Sequence, residues 1–390
     1  MRITYTSPNR SHHVPFARAM LKAGCLHKFV TGISRFSPRF DGTEFGTKLR
    51  RADQLQNVYL ASLMKGAPKA VSDELGYWSK IWLDRCSAKP SSESDLFLFY
   101  SGAGLGTVKR VKPRGVRCVV EAVNSHVLTQ ESLLLEESKR LNAPPPRFHQ
   151  RELRRRVEEY ENVDAILCPS HFVKKSFVAR GFAPESIYVV PYGFSPFARA
   201  EEPRPKDDVF RVLYVGSIDI RKGLRYLIQA YGRLRVAKKE LVLVGPRSEN
   251  SGLDDMSMPD GVIFHGVARG EELARMYQSA TVFVQPSIEE GLSLVLAEAL
   301  SCGLPVIATE NTGAGDLFAD GMEGFIVPIR DEKIMAEKLQ LLADDPGLRQ
   351  KMSLQANRWA GEMGGWQRCE EKLLACLRQI SDDERSGGKS

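Results

Sequence analysis

The stretch Pro286-Ser287-Ile288-Glu289-Glu290-Gly291-Leu292-Ser293-Leu294-Val295-Leu296-Ala297-Glu298-Ala299-Leu300 decides how the rest of the 390-residue chain is read. Ahead of it, Thr281-Val282-Phe283-Val284 is a short β-branched and aromatic run closed by Pro286, which predicts a buried strand. Residues 292–300 are rich in good helix formers and predict a helix. Gly291 then marks a strand-to-helix turn. At 1.5 Å of rise per residue, Glu290 and Glu298 stand about 12 Å apart along the axis, with the unpaired N–H groups and positive dipole end of the first helical turn between them. A diphosphate fits that gap, and a carboxylate on either side of it faces hydroxyls, which is the outline of a nucleotide sugar.

Two acids eight residues apart are ordinarily solvated helix surface, so the flanking residues have to carry the distinction. With Ser301-Cys302-Gly303-Leu304-Pro305-Val306-Ile307-Ala308-Thr309, the stretch resembles the E-x7-E signature of family 4 of the retaining glycosyltransferases. The Pro-Ser before the acids, the glycine after the first acid, the spacing and the Cys-Gly-Leu-Pro-Val turn all match. The resemblance implies an α/β GT-B fold, two Rossmann-like doubly wound domains facing a cleft, with the donor held mainly by the second and the acceptor by the first. It implies that Glu290 positions the reacting sugar, that Glu298 holds the ribose, and that Gly291, Leu292, Ser293 and Leu294 present the helix start to the diphosphate. It also implies retention, the acceptor attacking on the face that the diphosphate leaves while a phosphate oxygen helps to take the proton.

The second half alternates strand and helix cleanly. Strands are expected at 210–215, 241–244, 262–264, 306–308 and 324–328, and helices at 223–235, 271–279 and 332–343, a second doubly wound domain. In Gly216-Ser217-Ile218-Asp219-Ile220-Arg221-Lys222-Gly223 the chain turns from strand to helix. The family carries Arg after the first glycine and Lys before the second; here Lys222 matches, Ser217 stands where the Arg is expected, and Arg221 substitutes for the missing charge. The resemblance thus assigns Gly216, Ser217, Arg221 and Lys222 to the diphosphate, with Lys222 neutralising the leaving group. Asn311-Thr312-Gly313-Ala314-Gly315-Asp316 resembles the family's donor loop, in which Thr312 and Gly313 offer backbone N–H groups; an ordinary turn is the competing reading.

The first half begins with a strand at 2–6, the loop Ser7-Pro8-Asn9-Arg10-Ser11 and a helix at 14–23. Family members often have glycines in this loop. This chain has none, and Arg10, His12 and His13 are its cleft-facing candidates, although a lone histidine more often serves the surface or the packing. Parallel strands are expected at 95–100 and 118–123. The second ends in Asn124-Ser125-His126, where open α/β sheets bind ligands, and the resemblance gives His126 a catalytic contact with the donor; a loop histidine bonded to the backbone is the alternative. Residues 147–161 read as a charged helix with a solvated face, and Ser170 as the cap of a helix at 172–179. These features divide the chain into an acceptor-side domain at 1–195, a donor-side domain at 207–365, a helix at 366–380 that crosses back onto the first domain, and a disordered tail at 381–390, with a proline-bearing linker at 194–208.

Composition bounds the rest. A length of 390 residues exceeds one ordinary core, and 43% hydrophobic with 26% charged residues is the balance of a soluble globular protein. The first residues lack the apolar core of a signal peptide, and no run approaches the roughly 18 apolar residues of a membrane span, so a cytoplasmic location is expected. Seven cysteines with no Cys-x-x-Cys pair indicate neither a disulfide framework nor a zinc site. Without an Asp-x-Asp run, and with Lys222 and Arg221 to offset phosphate charge, neither a metal nor a cofactor beyond the donor substrate is expected. Residues 1–195 carry 30 Lys and Arg against 18 Asp and Glu, whereas residues 196–390 carry 25 against 30. The basic half suits an anionic membrane at its inner face or a lipid-linked acceptor, with Arg154, Arg155, Arg156, Lys174 and Lys175 as the densest cations; plain solubility is the alternative, and no nucleic acid is expected. Two other classes stay open, a nucleotide-sugar-binding partner without activity and another GT-B enzyme such as an epimerase or a phosphorylase. An NAD-dependent oxidoreductase is disfavoured because no Gly-x-Gly-x-x-Gly follows a strand.

Overall fold

Among the described residues, every pairing between strands is parallel, and the strands fall into two sheets. The computed structural model describes residues 1–146, 148–197, 208–363 and 365–382. The first sheet and its helices comprise β1 (Ile3–Ser7), α1 (His13–Lys22), β2 (Leu26–Thr31), β3 (Leu49–Arg51), α2 (Gln54–Met64), α3 (Lys69–Ser91) and β4 (Leu96–Tyr100). They continue through α4 (Leu105–Val111), β5 (Arg117–Glu121), α5 (Val127–Arg140), α6 (Gln150–Asn162), β6 (Ala165–Cys168), α7 (His171–Val178) and β7 (Ile187–Val189). The strand order is β3-β2-β1-β4-β5-β6-β7, reversing direction at β1 and β4. Runs such as Leu96-Phe97-Leu98-Phe99 are fully buried because helices cover both faces, as parallel sheets require.

The second sheet comprises β8 (Phe210–Val215), α8 (Leu224–Gly232), β9 (Lys239–Val244), β10 (Val262–Gly266), α9 (Glu271–Ser279), β11 (Val282–Gln285), α10 (Leu294–Ser301), β12 (Val306–Thr309), β13 (Gly324–Val327) and α11 (Glu332–Asp344). Its order is β10-β9-β8-β11-β12-β13, with the switch between β8 and β11. The Arg221-Lys222 turn follows β8 and the Glu289-Glu290 turn follows β11, so both leave the carboxyl ends of adjacent strands at the switch point, where ligands bind in such sheets. Two helices complete the chain, α12 (Pro346–Met363) against α10 and α13 (Gln367–Asp382) against α1. Cys369, Leu373, Leu377 and Ile380 of α13 join the core of the first sheet with Phe16, Met20 and Phe29.

Several elements differ from the sequence expectation. β2 and β3 are not evident because His27, Lys28, Arg50 and Arg51 break the apolar pattern, and α12 has no sharp apolar stripe. The charged helix α6 is not a solvated face. Glu159 is fully buried and accepts N–H groups of Gly102, Gly104 (2.9 Å) and Leu105 (3.0 Å), so it caps the start of α4 from outside. Arg155 pairs with Asp84, Arg156 with Glu152, and Lys174 donates to Ile187 O (2.9 Å), so three of the five cations expected to meet a membrane are already engaged within the fold. The linker and tail expectations lie largely outside the described residues, and no described helix is long and apolar enough to cross a membrane.

Because Leu373 is wholly buried in the core of the first sheet although it belongs to the last helix, Leu373→Ala should destabilise the protein by about 2–5 kcal/mol. Denaturant unfolding measures this. A loss below about 1 kcal/mol would mean that α13 is not part of that core.

Candidate functional site in the cleft between the two sheets

The turn after β11 is built from its carboxylates outward. The helix expected from residue 292 starts only at Leu294, with Ser293 as its first flanking residue, so the turn before it is two residues longer and the helical rise does not apply between Glu290 and Leu294. Glu290 therefore sits in the turn. Its Oε2 lies 2.7 Å from Lys222 Nζ and accepts from Gln285 Nε2 (2.9 Å) and Ser287 Oγ (3.1 Å). Burial works against its ionisation, but the charges of Lys222 and Arg221 outweigh it and hold the carboxyl below the usual range. Arg221 Nη1 donates to Glu289 O (3.0 Å) and Ile288 N donates to Arg221 O (2.8 Å), so the two turns are stitched together by backbone as well as charge. Gly223 ends the first turn with φ +63°, and a Cβ there would lie 2.2 Å from Pro286 O, which explains why the Lys-Gly pair is needed for the close approach.

Glu289, which the sequence reading passed over, is the residue that docks this turn on the first domain. Its buried carboxylate accepts from Ser125 N (3.0 Å), Ser125 Oγ (2.9 Å) and Asn124 Nδ2 (3.4 Å) of the segment between β5 and α5, and from Gln130 Nε2 (2.8 Å) on the first turn of α5. Ser170 Oγ donates to Gly291 O (2.5 Å), and a Cβ on Gly291 would lie 1.7 Å from Val123 O. Gly291 is thus required by the contact between domains. Asp316 adds to it by accepting from His171 N (2.7 Å), and Arg330 reaches Glu137 (2.6 Å) and Glu136 (3.0 Å) on α5.

Between the domains lies a cavity of 250 Å³. Its second-domain wall is Arg221, Glu290, Gly291, Leu292 and Leu294, and its first-domain wall includes Asn9, His12, His13, Tyr100, Asn124 and Tyr192. Glu298 lies four residues beyond Leu294, hence on the same face of α10 one turn deeper. It accepts from Tyr277 Oη (2.9 Å), and burial raises its pKa against that hydrogen bond. Ser293 N donates to Thr312 O (3.0 Å), and its Oγ is buried without a partner among the described residues. Thr312 and Gly313, expected to offer backbone N–H groups to the donor, also brace the motif: Thr312 Oγ1 closes on Thr309 O (2.6 Å), and a Cβ on Gly313 would lie 2.8 Å from Leu292 Cδ1. Gly216 N bonds Val244 O (2.9 Å), and Ser217 Oγ donates to Asp219 Oδ2 (2.5 Å), so the serine has an internal partner.

His126 does not reach the cavity. It caps α5, its Nδ1 accepting from Leu128 N (3.2 Å), and its buried ring is enclosed by Tyr160, Phe177 and Phe182. Burial, helped by Arg180, lowers its pKa to about 4. The backbone-bonded alternative is the correct one, for aromatic packing draws the ring into the core behind the strand end. The cleft histidines are His12 and His13, which join Glu121 in a group whose ligand-type atoms all lie within 4.8 Å of one another. The sequence held a signal for this group: a glutamate inside the apolar run Cys118-Val119-Val120-Glu121-Ala122-Val123 must be partnered when the strand is buried.

The chain is similar to known proteins in sequence and in fold. Residues 209–345 match the family model "Glycosyl transferases group 1". A 206-residue stretch is 34% identical to D-inositol 3-phosphate glycosyltransferase of Arthrobacter sp. (strain FB24), covering 49% of this chain and 48% of the relative, so the chain spans about half the length of the curated relatives it matches. Among solved structures, Anabaena Alr3699/HepE in complex with UDP superposes with a TM-score of 0.67 at 15% identity, over 97% of this chain and 100% of that one. Sucrose-phosphate synthase from Thermosynechococcus elongatus gives 0.67 at 17% identity, over 97% and 99%. The fold is GT-B.

Glu289→Ala leaves the donors of Ser125, Asn124 and Gln130 without their acceptor in a buried contact and should cost about 1–3 kcal/mol. Gly291→Ala should force the domains apart, read as a larger radius of gyration in small-angle scattering. An unchanged unfolding midpoint and radius in both variants would mean that this turn does not hold the domains together.

Proposed function

We propose that the protein transfers a sugar from a nucleoside-diphosphate sugar to a hydroxyl acceptor, with retention at the anomeric carbon, in the manner of family 4 glycosyltransferases. A role in cell-surface polysaccharide or glycoconjugate synthesis, with the acceptor on the basic first domain, follows from that reading. The observation that carries it is the convergence of Arg221 and Glu290 on the wall of the cavity between the domains, beside the start of α10, with Lys222 Nζ 2.7 Å from Glu290. Two cations, one of them 2.7 Å from a carboxylate, form a polarised pair that a diphosphate can enter on its positive side. The match to the glycosyl transferases group 1 model covers this domain, and the UDP complex of HepE shares the fold.

In this reading Arg221, Lys222, Ser293 and the first N–H groups of α10 hold the diphosphate, Glu298 the ribose and Glu290 the sugar. The chain's own groups supply position and charge, so no nucleophilic side chain is needed. The nucleotide is identified by thermal shift with uridine, guanosine and adenosine diphosphates, since a ligand at 100 times its Kd stabilises by about 2.7 kcal/mol. No shift with any of the three would contradict the reading.

Ribose hydroxyls are bound alike in ground and transition states, whereas contacts to the reacting sugar strengthen in the transition state. Glu298→Ala should therefore raise the donor KM, and Glu290→Ala should lower kcat, each by about tenfold or more for the loss of a hydrogen bond to a charged group. Steady-state kinetics checks both, and unchanged constants in the two variants would remove the assignment. With the leaving charge offset by protein cations, activity should persist in excess EDTA and fall sharply in Lys222→Ala; abolition by EDTA with rescue by Mg²⁺ would point to another donor site.

A further inference from the structure

The helix α2, Gln54-Leu55-Gln56-Asn57-Val58-Tyr59-Leu60-Ala61-Ser62-Leu63-Met64, contains no charged residue, yet none of its residues is buried. A helix with so little to offer water ordinarily disappears into a core. Here one side meets α3. Ser62 Oγ donates to Ser72 Oγ (3.1 Å), Trp82 Nε1 donates to Gln54 Oε1 (3.0 Å), and the Tyr59 ring lies over Gly76, where a Cβ would come within 3.2 Å of it. A second side lends Gln56 and Tyr59 to a cavity of 390 Å³ between α2, α3 and α6, which shares Asn9 and Tyr100 with the cleft. What remains is the stripe Leu60, Leu63 and Met64, spaced i, i+3 and i+4 and so grouped on one face. Leu63 is 50% and Met64 88% exposed, and Val71, in the first turn of α3 just past the hairpin, is 49% exposed. An apolar surface of this kind marks contact with something other than water.

The free charges around the stripe are of one sign. Lys65 and Lys69 flank the hairpin turn, both exposed, and neither ammonium has an ion pair among the described residues. Arg50, exposed on β3, stands just ahead of the helix. The nearby acids are already engaged: Asp53 lies 2.7 Å from Arg35, Asp73 lines the cavity, and Glu74 pairs with Arg151. A second copy docked on the stripe would therefore set cation against cation, tip to tip if the helices ran parallel and tip to Arg50 if they ran antiparallel. An anionic lipid surface answers the same cations with opposite charge. Its acyl boundary takes up Leu63 and Met64, while the lysine stems lie along the apolar layer and keep their ammonium groups among the phosphates.

We infer that the hairpin of α2 and α3 is a membrane-docking surface, with Leu60, Leu63 and Met64 entering the headgroup boundary of an anionic phospholipid bilayer and Lys65 and Lys69 meeting its phosphates. Because Gln56 and Tyr59 of the same helix line the cavity that joins the cleft, docking sets the cleft at the bilayer surface. This contact replaces the one expected from the run Arg154-Arg155-Arg156, of which Arg155 and Arg156 are engaged within the fold. It stands apart from the transfer reading, since lipid binding is read with no nucleotide present.

The test sediments the full chain with vesicles of phosphatidylcholine containing about one third phosphatidylglycerol, and with vesicles of phosphatidylcholine alone. The protein should pellet with the first and stay in solution with the second, and rising salt should release it. Met64→Asp should weaken partitioning by about tenfold or more, through loss of apolar insertion and gain of a repelled charge. Lys65→Ala and Lys69→Ala should each weaken it by about fivefold, the effect of one cation near such a surface. Because all three side chains are exposed, the unfolding midpoints should match that of the parent, which separates lost binding from lost fold. Hydrogen exchange of the unsubstituted protein should slow across residues 54–71 with the anionic vesicles only, a readout that needs no variant. Equal retention by both vesicles, no retention by the anionic ones at low salt, or retention that Met64→Asp leaves unchanged would each overturn the inference. A dimer in solution that Met64→Asp dissociates would overturn it in favour of a second copy on the same stripe.

Discussion

One buried carboxylate sets the geometry on which the cleft depends. Glu289 projects from the second domain into a ring of donors on the first, and it accepts from Ser125 twice, from Gln130 and from Asn124. A buried charge without partners is costly, and with them it fixes orientation. Because the segment after β5 comes this close, residue 291 must lack a side chain, and Glu290 is turned back toward Lys222 and away from the contact. Two adjacent glutamates therefore have opposite duties. One closes the interface, and the other faces the space the interface encloses.

The same division runs through the charges of the first domain. Its excess of Lys and Arg reads from composition as a field for an anionic partner. In the fold, however, Arg155, Arg156 and Lys80 are consumed in pairs with Asp84 and Glu152, and Glu159 caps α4. Of these, Lys80, Glu152 and Arg156 wall the cavity beside the cleft and make that wall polar. Arg154 and Lys175 stay exposed, so an electrostatic contact with a surface would fall to far fewer groups than the sequence count suggests.

Strands such as β4, β8 and β11 were legible because buried parallel strands are continuous apolar runs, and the motif after β11 was legible because its glycines and acids keep fixed spacing. Lys222, Arg221 and Glu290 were singled out by the resemblance of their two turns to the family's motifs, and they do meet in space. The misses have a common physical cause: pairing across the chain is invisible to local pattern. Glu159 looks like solvated helix surface until Gly104 and Leu105 are brought beneath it, and Glu289 looks redundant beside Glu290 until Ser125 arrives. His126 and His12 exchange expectations for the same reason, the first drawn among aromatic rings and the second held to a carboxylate 109 residues away.

The account stands most directly on where a nucleoside diphosphate binds. A crystal structure of the complex should show the β-phosphate within hydrogen-bond distance of Arg221 and Lys222 at the start of α10, the ribose at Glu298, and the Lys222–Glu290 pair opened to admit it. A diphosphate bound instead in the first-domain cavity between α2, α3 and α6, with that ion pair intact, would contradict it.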